Sequence, residues 1–107
     1  MEELLPQAYY LKFYRGRNFL DMGLHEAAVE HFDYALALDP DSEDLPYIYS
    51  FKASCLKDLE RIDEAIDVAR QGLKEDGERP DLLNTLGVCY YKKLDYENAI
   101  ADRKSVV

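Results

Sequence analysis

Apolar and small residues recur three and four positions apart along most of the chain, the spacing of one face of an α-helix, and they never alternate strictly as a half-buried strand requires. The runs are interrupted where helices commonly stop: at Gly23, at Pro40 with Asp41 and Ser42, and at Gly77 with Pro80. The pattern predicts helices at about 7–21, 25–38, 45–59, 62–75 and 80–93, with a sixth begun near 96. The implied fold class is all-α.

Self-similarity organises these helices into units. The small residues Gly16, Ala53 and Gly87 are separated by 37 and then 34 positions, and the same offsets relate Phe19, Leu56 and Tyr90. They also relate Ala28, Ala65 and Ala99, then Val29, Ile66 and Ile100, then the acids Glu26, Asp63 and Glu97. In the first two units Ala35 pairs with Gly72, Leu36 with Leu73 and Asp39 with Asp76. A mid-helix glycine costs ~1 kcal/mol relative to alanine. Its recurrence at one register therefore predicts close approach of the second helix of each unit to the first. Ala28, Ala65 and Ala99 meet that contact from the other side, with Phe19, Leu56, Tyr90 and Phe32 filling the space around it.

A helix-turn-helix unit of this length, carrying a small residue, an aromatic, then alanine, aromatic and alanine before Asp-Pro, resembles the tetratricopeptide repeat. Leu83-Asn84-Thr85-Leu86-Gly87-Val88-Cys89-Tyr90-Tyr91, followed by Asp95-Tyr96-Glu97-Asn98-Ala99-Ile100, is similar to the family pattern. So are Ala28 to Phe32 and Ala35 to Asp39-Pro40. The resemblance spans about 9–101 and implies an α-solenoid of two and a half to three repeats in a right-handed superhelix. As a single domain over 1–107, it divides into repeats at about 9–42, 46–79 and 80–107, the last with its second helix truncated. Lys12 and Arg15 depart from the pattern, standing where Tyr49, Leu83 and Leu86 are apolar, which makes the first helix either an end cap with one solvated face or a helix whose register is slightly off. The longer first interval places an enlarged loop at Ser42 to Leu45. The ending Asp102-Arg103-Lys104-Ser105-Val106-Val107 breaks the repeat where an apolar residue belongs at Arg103, which points to a fragment or a foreign end.

Composition restricts the partners. Twenty-two acidic against 13 basic residues give a net charge of −9, a field that repels a nucleic-acid backbone or an anionic membrane. No apolar run approaches the ~20 residues that span a bilayer. The first residues lack the basic and apolar regions of a secretory signal, which makes the cytoplasm the expected location. Catalytic and metal motifs are incomplete. His25-Glu26 would need a second histidine at the position of Val29, and His31 lies on another face. Cys55 and Cys89 occupy equivalent, half-buried places in two repeats, with no ligand set or base beside them. Asp41-Ser42-Glu43-Asp44 reads as a solvated loop, lacking the alternation of a calcium loop, and no glycine-rich phosphate loop is present. The expectation is a chain without catalysis, metal or cofactor.

In a stack of helical hairpins the first helix of each pair lines the concave wall. Helical spacing then turns Tyr10, Phe13, Arg17, Leu20 and Asp21 inward from the first helix. The third helix contributes Tyr47, Ser50, Ser54, Lys57 and Asp58, and the fifth Asp81, Asn84, Val88, Tyr91 and Lys92. Three basic and three acidic residues make this wall far less acidic than the chain as a whole, and its four aromatics supply contact area at low entropic cost. Asn84 has the amide to hold a peptide backbone. Some members of the resembled family hold the terminal carboxylates of chaperone tails with lysines, an arginine and asparagines. Here only Arg17, Asn84 and Lys92 offer such chemistry, too few to predict that ligand. The expected function is a protein-interaction module with a peptide or protein partner. Two alternatives are a scaffold that self-assembles through uncovered repeat ends, making homo-oligomers, and a regulatory segment of a larger enzyme or sensor.

Overall fold

The computed structural model describes residues 8–105, with their side chains except those of residues 99 and 101–105. Among the described residues there are five helices: α1 (Ala8–Asp21), α2 (His25–Ala37), α3 (Leu45–Asp58), α4 (Ile62–Glu75) and α5 (Pro80–Ser105). α1 and α2 form one antiparallel hairpin, α3 and α4 a second, and α5 packs beside α3 and α4. The result is an all-α helical-repeat solenoid with extents of 68 × 29 × 19 Å. No described helix is long and apolar enough to cross a membrane.

The two hairpins repeat down to single hydrogen bonds. Gly23 takes φ 77° at the first turn, and Glu60, 37 positions later, takes φ 62° at the second. Beside them the Leu24 amide donates to Phe19 O at 2.8 Å and the Arg61 amide to Leu56 O at 2.9 Å. The core runs through both units. Phe32, Ala35, Ala53, Leu82, Cys55 and Cys89 are all wholly buried, so both cysteines lie deeper than their expected half-burial. Gly16 lies directly under Phe32: a Cβ there would stand 2.6 Å from the ring. At Gly72 a Cβ would stand 2.7 Å from Leu82 and 2.9 Å from Tyr49, so α4 approaches both α3 and α5 closely.

The third unit departs from expectation. The turn predicted between 93 and 96 is absent, and α5 continues unbroken for 26 residues, about 39 Å at ~1.5 Å per residue. The position equivalent to Gly23 and Glu60 is here Leu94. A bulky residue pays roughly 1–2 kcal/mol in the left-handed conformation that the turn requires, and no glycine or proline interrupts the helix nearby. The continuing segment is tied to the second hairpin. Glu60 accepts from Lys92 Nζ at 3.0 Å and from Tyr96 OH at 2.6 Å, and Asp63 accepts from Lys93 Nζ at 2.9 Å.

Among the described residues no helix returns over α5, so the third small residue has nothing to receive. A Cβ on Gly87 would meet no atom within 4 Å, which corrects the expected close contact there. Tyr90 is 40% exposed, whereas its equivalent Leu56 is buried, so it does not fill a seam. Leu83 and Leu94 are exposed on the same face. Ile100 is also exposed, although Val29 and Ile66 are buried. The expected roles of the Ala99 and Arg103 side chains, and of Val106 and Val107, fall outside the described residues.

Candidate binding groove

A groove of about 520 Å³ opens between α1 and the start of α5, floored by the first two turns of α3. From α1 it takes Tyr10, Phe13, Tyr14 and Arg17, which form two pairs spaced one helical turn apart on adjacent faces. From α3 it takes Tyr47, Ile48 and Phe51, with Tyr47 and Phe51 again one turn apart. Arg79 and Asp81 close one side, and Tyr9 and Asp44 close an end. The Phe13 ring lies 5.6 Å from that of Phe51 in an edge-on arrangement and 5.8 Å from Phe32, so the groove's aromatic wall continues into the core.

Asp44 owes its place to the enlarged loop before α3. It precedes that helix without capping it by its side chain; instead one carboxylate oxygen accepts from Tyr9 OH at 2.5 Å and Tyr10 OH at 2.8 Å. Burial, with the hydrogen bond it donates to Asp44, pushes the Tyr9 phenol far above its ordinary value and keeps it protonated. Across the groove Ser50, almost fully buried, donates to Asp81 at 2.7 Å and so ties α3 to α5. Arg79 Nε lies 2.9 Å from the same carboxylate, while its guanidinium stacks 3.9 Å from the Tyr47 ring centroid. Burial works against the Asp81 charge, but the bonds from Ser50, Arg79 and the Leu82 amide outweigh it and hold the carboxyl below its usual range.

Of the residues expected on the concave wall, Tyr10, Phe13, Arg17 and Tyr47 line this groove together, with Asp81. Ser50 lies behind them as the tie to Asp81. Leu20, Ser54 and Lys57 are half-buried and lie outside the lining, as do Asn84, Val88 and the largely exposed Tyr91 farther along α5. Lys92 is engaged by Glu60. The sequence pattern missed Tyr9, Tyr14, Asp44, Ile48, Phe51 and Arg79. The one-turn spacing of Tyr47 and Phe51 was a usable signal for the latter; Asp44 and Arg79 sit in connections, where periodicity says nothing.

Among the described residues no three His, Cys, Asp or Glu side chains are grouped to hold a metal ion. His25 contacts Gly23 O at 3.1 Å and Asp58 at 3.5 Å, and His31 contacts Ala27 O at 3.0 Å, so the two histidines serve different local partners. Burial pushes the Cys55 thiol up to about 11, the opposite of activation for nucleophilic work. What the groove offers is aromatic surface and oriented polar groups.

Comparison with known proteins agrees with this architecture. Residues 46–78, which contain α3 and α4, match the family model described as tetratricopeptide repeat. Among solved structures, the second TPR of Spaghetti (RPAP3), bound to the HSP90 peptide SRMEEVD, is similar in fold with a TM-score of 0.76. The match covers 94% of this chain and 85% of that one at 20% sequence identity. No curated protein matches the chain.

Proposed function

We propose that the chain, whose residues 46–78 match the tetratricopeptide repeat, works as a non-catalytic interaction module and takes a peptide or protein segment into the groove between α1, α3 and the start of α5. The observation that carries this reading is the lining itself: six aromatic rings around a groove of about 520 Å³. Its polar groups are mostly engaged with one another, which leaves rings and their edges as contact surface. The reading draws support from the RPAP3 domain, which has the same fold and holds an HSP90 peptide. Selection from a displayed random-peptide library against the folded chain tests it. Peptides so selected should bind Tyr47→Ala about tenfold or more weakly, the loss of one well-placed aromatic anchor. Equal affinity for wild type and variant would remove the groove from the account.

A second reading has its own observation. Leu83, Tyr90 and Leu94 are exposed around Gly87 on α5, whereas the residues equivalent to Gly87 and Tyr90 in the first two units, Gly16 with Ala53 and Phe19 with Leu56, are packed into the core. Such a face supports self-association, and light scattering across a concentration series separates it from the groove reading. A strict monomer that still selects peptides leaves only the module.

A further inference from the structure

The charges around the groove are not equally committed. Asp44 accepts two phenolic protons, and Asp81 is bonded to Ser50 and paired with Arg79. Arg79 is in turn stacked on Tyr47. Arg17 is the exception. Its guanidinium lies 5.2 Å from the Phe51 ring centroid, and among the described residues it has no carboxylate partner. A guanidinium with one face on an aromatic ring keeps its N–H donors directed outward from its edge, where they match the two oxygens of a carboxylate. One turn earlier on α1 stands Phe13, beside Phe51, so a carboxylate on Arg17 and an apolar side chain against these rings would be neighbours on one short peptide.

Resting on the groove reading above, we infer that the groove selects a peptide with an acidic side chain next to an aromatic or large aliphatic one. The acid seats on Arg17 and the apolar group lies among Phe13, Tyr47 and Phe51. The net charge of −9 favours the opposite ligand at long range, but that field is screened beyond roughly 8–10 Å at physiological salt. A contact pair on Arg17 operates well inside that distance. Charge selection by this groove is therefore local, and opposite in sign to that of the molecule as a whole.

Three matched synthetic peptides test this, each acetylated and amidated so that side chains carry the only charges. They share a fixed phenylalanine and differ at its neighbour, which is Glu, Gln or Lys. Fluorescence anisotropy against the full chain should show the Glu peptide bound about tenfold more tightly than the Gln peptide, the scale of one charge-assisted contact. Arg17→Gln should abolish that difference, and Arg17→Lys should keep part of it. Circular dichroism of the variants should match wild type, since Arg17 is exposed. Equal binding of the Glu and Gln peptides, tighter binding of the Lys peptide, or a preference that survives Arg17→Gln each overturns the inference. If all three peptides bind equally and weaken with Tyr47→Ala, the groove stands and only its acid selectivity falls. If none of the three binds, the inference and the groove reading fall together.

Discussion

Gly16 and Gly87 hold the same place in two units and face opposite surroundings. A methyl group at Gly16 would press into the Phe32 ring, which is wholly buried and has little room to turn. Gly16→Ala should therefore destabilise the fold by about 1–2 kcal/mol, the overpacking cost of ~1–3 kcal/mol less part of the ~1 kcal/mol that alanine returns in a helix. Gly87→Ala meets no atom within 4 Å and should stabilise by roughly 0.5–1 kcal/mol. Urea unfolding of the two variants beside wild type measures both. A destabilising Gly87→Ala would mean that a helix does cover α5 at this point. The same pair shows what a repeated residue reveals. Sequence offsets identify equivalent positions, but the contact at each depends on whether the neighbouring helix is there to make it.

Among the elements, α1 to α4 were legible almost to the residue, because glycine, proline and the small-residue register mark both their faces and their ends. The end of α5 was not legible. Its turn position carries Leu94, and what holds the helix straight beyond it lies in another unit: Glu60 with Lys92 and Tyr96, and Asp63 with Lys93. Such ties join residues 30 or more positions apart and leave no trace in a local pattern. Glu60 makes the arrangement pH-sensitive. Its bonds from Tyr96 and Lys92 hold the carboxyl below the ordinary value of 4.5, so the stabilisation is present above that pH and lost as pH falls through the lowered value. Amide exchange at residues 92–98, corrected for intrinsic rates, should quicken as pH drops below 4.5 in the wild type. In Glu60→Gln it should already be fast at neutral pH and change little on acidification. An unchanged protection pattern in that variant would show that Glu60 does not hold α5.

At the scale of the whole molecule, the groove proposed to bind is made where α1, α3 and α5 come side by side. Half of that arrangement could be read from the chain. Helical spacing assigned Tyr10, Phe13, Arg17 and Tyr47 to one wall, and they do converge. Periodicity identifies a face; it does not say where along their axes neighbouring helices converge, which depends on how they cross. The lining therefore gathers at the first turns of α3 and α5, leaving Asn84, Val88 and Tyr91 farther along α5, while two inter-helix connections contribute Asp44 and Arg79. The central claim is that this one surface receives the ligand. Titrating the isotope-labelled chain with a library-selected peptide and following amide shifts by nuclear magnetic resonance tests it most directly. The largest changes should fall on Tyr10, Phe13, Arg17, Tyr47, Phe51 and Arg79. Changes confined to Leu83, Tyr90 and Leu94 on the outer face of α5, with the groove amides unmoved, would contradict it.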